Sequence, residues 1–308
     1  MINGIINIYK ETSYTSHDVV AKMRGILRQR KIGHTGTLDP DAVGVLPVCL
    51  GSATKLCDIL TDKTKEYIAE FILGKETDTQ DISGKVLNEF EGSILEEISK
   101  ENLVSCIQSF IGEYMQVPPM YSAKKVNGQK LIDLARKGIE IERKAVRVEF
   151  KNIEILDINL PTVKIRVECS KGSYIRTLCH DIGKKLGVGA CMTTLVRTRV
   201  DRFKLENAIK LADLENIKDN EEELKKIVIP VDEYFSNLIK LKVKDEFHKQ
   251  AINGNKLLVK QIMNLPQNMD DKIIYKIYTG KEQFLGLYEY IEKELVFKPY
   301  KLFIGEQQ

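Results

Sequence analysis

Residues 33–55 read GHTGTLDPDAVGVLPVCLGSATK, and the part from 33 to 51 carries four glycines and two prolines in nineteen positions. That density of punctuation predicts a loop between elements. Within it Asp39 precedes Pro40, whose ring pushes the preceding residue toward extended backbone, so the Asp39 carboxylate projects from a loop instead of lying along a helix. Gly33, Gly36 and Gly44 allow tight turns and close approach of a bulky ligand. An Asp-Pro pair is also an ordinary turn former, so the spacing alone identifies no chemistry.

Upstream, SHDVVAKMRGILRQR (16–30) predicts a helix, because Val19, Val20, Met23, Ile26 and Leu27 recur at helical spacing and Ser16 can cap it. Before it, INGIINIY (2–9) reads as a strand leading into Lys10. Downstream, EYIAEFILG (66–74) alternates as a strand, TDTQDISG (77–84) is turn chemistry, and KVLNEF (85–90) resumes extended structure. Helices are predicted over about 93–100 and 101–111. PPMYSAKKVNG (118–128) predicts a loop or hairpin closed by Asn-Gly, and QKLIDLARKG (129–138) a helix ending at Gly138. RVEFKNIEIL (147–156) and VKIRVECS (163–170) read as strands, and IRTLCHDIGKKLG (175–187) as a helix stopped by Gly187. LADLENIKDNEEELKKI (211–227) is a charged helical run, and the Ile229-Pro230 junction marks the approach to a boundary.

Beyond about residue 237 short strand-like runs follow closely: NLIKLKV, KLLVKQI, KIIYKIY, EQFLGLYEYI and ELVFKPYKLF. They predict a small β-barrel or sandwich of about seventy residues. A chain of 308 residues exceeds the usual size of one domain, so two are expected, at 1–236 and 237–308. With 43% apolar and 30% charged residues, the composition is that of a soluble globular protein, which excludes disordered and collagen-like classes.

The net charge of +3 does not by itself announce a nucleic-acid partner, so local clustering has to carry that inference. Arg24, Arg28, Arg30 and Lys31 fall within eight residues, and basic groups recur at Lys124/Lys125, Arg143/Lys144/Arg147, Lys184/Lys185 and Arg197/Arg199/Arg202/Lys204. The six cysteines include no CxxC pair and match neither a zinc site nor a disulfide framework, so they read as reduced, mostly buried thiols. The first residues lack a basic leader and a cleavage site, and no run reaches membrane-spanning length, which predicts a cytoplasmic protein.

Six segments, in order, resemble the TruB family of bacterial tRNA pseudouridine synthases, which make pseudouridine 55 in the T loop. They are the Lys10 segment, the Asp39 stretch, KEYIAEFILGKETDTQD with Tyr67, PPMYSAKKVNGQKLIDLARKG, CSKGSYIRTLCHDIGKKLG with Arg176, and GACMTTLVRTRVDRF with Leu195. Together they span about residues 1–235. FLGLYEY and VFKPYKLF resemble the small PUA-like RNA-binding barrel of bacterial members.

The resemblance implies an α+β catalytic domain on a central, largely antiparallel sheet. It implies Asp39 as a nucleophile forming a transient adduct with the target nucleotide, at C1′ or C6, while the base detaches, turns over and rejoins through C5. A carboxylate suits this, since it is ionised at neutral pH and can both bond and leave. Arg176 would pair with Asp39 and keep it deprotonated, and Tyr67 would stack beneath the base and take the C5 proton. Tyr174 and Leu195 would line the uracil pocket, and Lys10 would support the loop. His34 would fill the gap left by the extruded uridine. Tyr121, Lys124 and Lys125 would clasp the RNA arm. No redox cofactor, nucleotide or metal is called for. The partner implied is tRNA, held by its T arm with an affinity that falls as salt rises; no protein partner or membrane is required, and a monomer is expected.

Two rivals lie nearby: a synthase acting on other RNA, and a non-catalytic RNA-binding protein on the same scaffold, against which Asp39, Tyr67 and Arg176 together speak. A carboxylate-pair hydrolase using Asp39 with Asp41 is disfavoured because Pro40 separates them. Two segments depart from the family. Lys10-Glu11-Thr12-Ser13 stands where relatives carry Lys-Pro-x-Gly, and Asp201 stands where they tend to carry glycine.

Overall fold

A computed structural model describes residues 1–91 and 97–304. In chain order the first elements are β1 (Gly4–Lys10), α1 (Ser16–Ile26), β2 (Ile32–His34), β3 (Val43–Leu50), α2 (Cys57–Thr61), β4 (Lys65–Leu73), β5 (Lys75–Thr77) and β6 (Val86–Glu89). Then come α3 (Lys100–Gln108), β7 (Gly112–Gln116), β8 (Lys125–Val126), β9 (Gln129–Lys130), α4 (Leu131–Ala135), β10 (Val146–Asn159), β11 (Thr162–Cys169), α5 (Ile175–Leu186), β12 (Ala190–Val200) and β13 (Phe203–Lys204). Helices α6 (Leu211–Ile217), α7 (Glu221–Ile227) and α8 (Val231–Tyr234) lead to β14 (Lys240–Val243), α9 (His248–Ile252), β15 (Leu257–Leu258), β16 (Ile262–Met263), β17 (Ile274–Tyr278), β18 (Phe284–Ile291) and β19 (Val296–Leu302).

The main sheet runs β1-β3-β12-β4-β11-β10-β7, with β2 on β3 and β13 on β12. Only the β3–β12 pair is parallel, so the sheet is mixed and largely antiparallel, as expected. Strands β4 and β11 alternate buried and half-buried residues along their lengths, as strands with one face on a core do. Phe71, Val163, Ile165 and Val167 pack there with Leu178 and Ile182 of α5 and Leu103 and Ile107 of α3. At the other end, Ile6, Ile8, Leu46 and Val48 face α1, α6 and α7, while Ile5, Val45 and Cys49 point to the opposite side. The second sheet, β15-β19-β18-β17-β14-β16, curls into a near-closed barrel around Leu241, Tyr275, Leu285 and Phe297. Its Leu287 and Phe303 meet Ile5, Val45, Cys49, Tyr234 and Phe235 in one shared core.

Two central strands escape the sequence patterns. Residues 43–50 belong to β3 rather than to the loop expected there. Their glycine and proline are compatible with pairing because of where they stand. The Gly44 Cα leaves no room for a side chain, since a Cβ would lie 2.3 Å from the Arg197 carbonyl oxygen. Pro47 faces Asn7 of β1, whose own carbonyl accepts from Ile209 on the far side, so this is a pair without ladder bonds and the missing N–H costs nothing there. Strand β12 lacks a period of two because its register shifts between Met192 and Thr194 and again between Arg197 and Arg199.

Smaller differences have local causes. Thr15, not Ser16, caps α1: its side chain accepts from Asp18 N, and the Asp18 carboxylate accepts in turn from Thr15 N. Residues 211–227 form two helices, since the Asn220 side chain accepts from Glu222 N and Glu223 N and starts the second. The 129–138 helix is confined to α4; of the helix expected over 93–100, residues 93–96 lie outside the described residues and, of the rest, only Lys100 is helical, as the first residue of α3. All six cysteines are free, five of them buried.

Of the residues that depart from the family, the two that stand in place of glycine both take left-handed backbone. Asp201 has φ 52°, and its carboxylate accepts from Tyr234 Oη at 2.8 Å, a bond that glycine could not make. Ser13 has φ 65° and is exposed, so it bears the strain with no compensating contact. Ser13→Gly is expected to raise the urea unfolding midpoint, by about 1 kcal/mol of stability at most, because relief of left-handed strain of roughly 1–2 kcal/mol is offset by the greater freedom of unfolded glycine. An unchanged or lowered midpoint would count against a strained turn.

Candidate active site

The loop that carries Asp39 spans residues 35–42 between β2 and β3 and is tied down at each turn. Thr35 donates from both N and Oγ1 to the Pro47 carbonyl, each at 3.2 Å. The buried Ser16 hydroxyl, freed from capping, accepts from Leu38 N at 2.9 Å. Ala42 N donates to Asp39 O at 3.1 Å and closes a turn around Pro40 and Asp41. Lys10, 0% exposed at the end of β1, donates from Nζ to the Pro40 carbonyl at 2.9 Å and the Glu11 carbonyl at 3.1 Å. Burial lowers its amine to about 8, against the pull of Asp41 and Asp39. The proline-free turn that follows Lys10 therefore still lets this lysine brace the loop.

Asp39 meets its cation at the start of α5. Arg176 Nη2 lies 3.4 Å from Asp39 Oδ2, with 6% of the Arg176 side chain exposed and 41% of Asp39 open to solvent. The same guanidinium reaches Asp81 Oδ2 through Nη1 at 3.4 Å and donates to the Tyr121 carbonyl at 2.5 Å. Asp81 is fixed in turn by Thr79 Oγ1 and Ser83 N on its other oxygen, at 2.8 and 3.1 Å. Arg176 lowers the Asp39 acid, the direction expected of it, but burial raises that acid more and the neighbouring Asp81 and Asp41 charges add to the rise, so the net direction is upward. One cation shared between two carboxylates offsets the desolvation only in part.

Tyr67 of β4 and Leu195 of β12, each 8% exposed, form the floor of the site with Leu38 and Ala42 of the loop. Burial raises the Tyr67 hydroxyl above its usual value. Tyr174 is the cap residue of α5, and it has no side-chain cap. Instead the fully buried Gln116 accepts from Tyr174 N at 2.8 Å and donates to Tyr174 O at 3.0 Å, which sets the helix start that presents Arg176. Asp39, Arg176, Lys10, Tyr67 and Leu195 are thus brought to one place. Among the described residues no hydrogen bond or ion pair joins His34 or Tyr174 to Asp39.

His34 ends β2, with the His17 ring edge-on to it at 5.1 Å between centroids and Gly36 N donating to its Nδ1 at 3.4 Å. Burial, then the charges of His17 and Arg197, lower it to about 4 from an ordinary 6.5. It is neutral at pH 7. Between pH 6.5 and 4 the unfolded chain takes up this proton and the folded chain does not, so the contribution is whole above 6.5 and is lost as pH falls through 4. Wild-type protein should therefore lose unfolding midpoint across that window, and His34→Asn should flatten this part of the slope. Identical slopes for the two proteins would refute the assignment.

Three residues of this region carry no signal in sequence. Asp81 sits in a run read as turn chemistry, Gln116 is a lone glutamine at a strand end, and Arg197 belongs to a basic run read by its charge alone. Two clefts, of about 380 Å³ beside Phe110 and Tyr114 and about 610 Å³ beside Val104 and Ile155, lie away from Asp39.

Residues 24–175 match the family model described as TruB family pseudouridylate synthase (N terminal domain). Residues 176–236 match that of the tRNA pseudouridylate synthase B C-terminal domain, which ends before β14 begins. The chain is 47% identical to tRNA pseudouridine synthase B of Lachnoclostridium phytofermentans, covering 98% of this chain and 100% of that one. It is 44% identical to the protein of the same name from Clostridium tetani, covering 93% and 95%. Among solved structures, a chain of a Cbf5-Nop10-Gar1 complex superposes with TM-score 0.71 at 30% identity, covering 98% of this chain and 85% of that one. A chain of an H/ACA RNP bound to a substrate RNA containing 2′-deoxyuridine does so with TM-score 0.70 at 28% identity, covering 99% and 86%.

Proposed function

The chain belongs to the TruB family of pseudouridylate synthases and is a tRNA pseudouridine synthase, an isomerase acting on RNA, and from that premise we propose that it converts uridine 55 of the tRNA T loop to pseudouridine through a covalent adduct with Asp39. One observation carries the proposal: a carboxylate at a braced loop tip, 41% open to solvent, 3.4 Å from a buried arginine and above a floor of Tyr67 and Leu195.

The reaction breaks the C1′–N1 bond and makes a C1′–C5 bond. The C5 proton leaves and N1 gains one, so composition does not change. Asp39 supplies the electron pair that bonds to the sugar or base carbon, and it departs as a carboxylate once C5 has taken the place of N1. Arg176 would hold the ionised oxygen in line and favour its return as leaving group. The extruded uracil would stack on Tyr67 against Leu195, with Tyr174 at the pocket edge, and His34, neutral and apolar on one face, would occupy the space the base leaves. Lys10 would keep the loop at its height through Pro40. The hairpin β8–β9 bears Lys125 and Lys130 and follows Tyr121, whose carbonyl accepts from Arg176, and these basic groups support contact with an RNA arm near the site. On this reading residues 1–236 do the chemistry, 237–308 form a PUA-like RNA-binding barrel, and a monomer in the cytoplasm suffices.

The test is a map of the product. Unmodified tRNA transcript incubated with the protein should acquire pseudouridine at position 55 and at no other uridine. Product elsewhere would refute the target, and no product at any position would refute the activity.

A further inference from the structure

Arg197, in the middle of β12, is a fully buried cation with 1% of its surface exposed, and among the described residues it forms no ion pair. Its Nε donates to the Val45 carbonyl of β3 at 2.7 Å, and its Nη2 donates to the Gly36 carbonyl, at the root of the Asp39 loop, at 3.3 Å. In the β12–β4 ladder Arg197 is the direct partner of Tyr67, so the two side chains stand on one face of the sheet as cross-strand neighbours. Carbonyls can satisfy its N–H groups, but they do not neutralise its charge. A desolvated, unneutralised charge is costly to the fold, and the neighbouring group it can favour is one that becomes negative.

The surroundings single out that group. Lys10 of β1, His34 of β2 and Lys65 of β4 each feel Arg197 as repulsion. From β11 Cys169 faces Tyr67, and from the loop Asp39 does; both disfavour a negative oxygen there. Burial raises the Tyr67 hydroxyl, and Arg197 is the strongest influence in the other direction. No other described cation acts on that oxygen so directly.

Resting on the function proposed above, we propose that Arg197 is a positioning residue for the proton step: it anchors the root of the Asp39 loop and holds a fixed positive charge against Tyr67, so that the Tyr67 oxygen accepts the C5 proton as a phenolate. In that step the C5–H bond breaks and its electron pair becomes the C5–C6 double bond. The former C6–N1 double-bond pair moves onto N1, which takes a proton from water, and the phenolate ends as phenol. The phenol then returns its proton to the hydroxide so formed, and the site is reset.

The experiment replaces Tyr67 in the full chain with a ring-fluorinated tyrosine acidic enough to titrate while the protein stays folded, and follows it by fluorine NMR. The same replacement is made in Arg197→Gln, which keeps a donor for Val45 without the charge, and in Arg197→Lys, which keeps the charge. The Gln protein should titrate at least about one pH unit higher than wild type, a tenfold smaller ionised fraction at fixed pH. With natural Tyr67, it should form pseudouridine about tenfold more slowly in single turnover while binding tRNA as before. The Lys protein should shift by less than half as much. Coincident titrations in all three proteins, or a Lys shift as large as that of Gln, would overturn the proposal. Failure of the underlying function reads differently: wild type would then make no pseudouridine, whatever the titrations show.

Discussion

Arg176→Met is expected to slow single-turnover pseudouridine formation by at least about 10²- to 10³-fold, the cost typical of removing one preorganised charge-stabilising group from an active site. Arg176 is the strongest influence lowering the Asp39 acid, against burial and the charges of Asp81 and Asp41, which raise it. Without it two carboxylates share a partly desolvated pocket with no cation between them, Asp39 holds its proton, and a protonated acid is a poor nucleophile. Arg176→Lys should fall in the same range. An ammonium is a point donor, and it cannot span Asp39, Asp81 and the Tyr121 carbonyl as the planar guanidinium does. Removing one member of a buried ion pair also destabilises a fold, so thermal unfolding of each variant serves as the control. Folded variants that bind tRNA normally and react within about twofold of wild type would contradict the electrostatic account.

The contrast between Arg176 and Arg197 shows where sequence reading stops. Arg176 was found through the segment around it, and its ion pair with Asp39 links residues far apart in the chain. Arg197 stood in the run Arg197, Arg199, Arg202, Lys204, where charge suggested an exposed basic face. Two strand residues further on, Arg199 is half-buried and paired with Glu168 at 3.1 Å, while Arg197 is sealed inside. Nothing in composition separates them. The difference is the sheet face on which each falls, and the register shift between the two scrambles the alternation that would have told. Asp81 was equally hidden, because its significance lies in sharing Arg176 with Asp39.

The fold was legible wherever periodicity was intact. Strands β4 and β11 alternate cleanly, α5 ends at Gly187 with φ 79°, and the Asn127-Gly128 turn, both residues at positive φ, closes β8 onto β9. It was illegible where a residue usually read as a breaker was accommodated by tertiary structure. Gly44 and Pro47 marked β3 as loop, yet one permits the close approach of Arg197 and the other stands where the ladder needs no donor. Ser16 was assigned to capping by its type, but its hydroxyl holds the Asp39 loop. In each case a local preference was overruled by a contact distant in sequence.

The largest effect should come from Asp39 itself. Asparagine keeps the shape and can still close the turn through its backbone, so Lys10 and Ser16 retain their hold on the loop, but an amide carries no charge and cannot serve as a nucleophile that also leaves. The variant should therefore fold, and should bind tRNA at least as well, since a negative charge has been removed from a surface that meets phosphates. Its chemistry should fall by a factor on the order of 10³ or more, in line with loss of a nucleophile that works as part of a unit. The decisive measurement is single-turnover conversion of one tRNA transcript by wild type and by Asp39→Asn at saturating protein. The expected result is full conversion at uridine 55 by the former and none above background by the latter over the same interval. Conversion by the Asn variant at the wild-type rate would show that another group does the work assigned to Asp39.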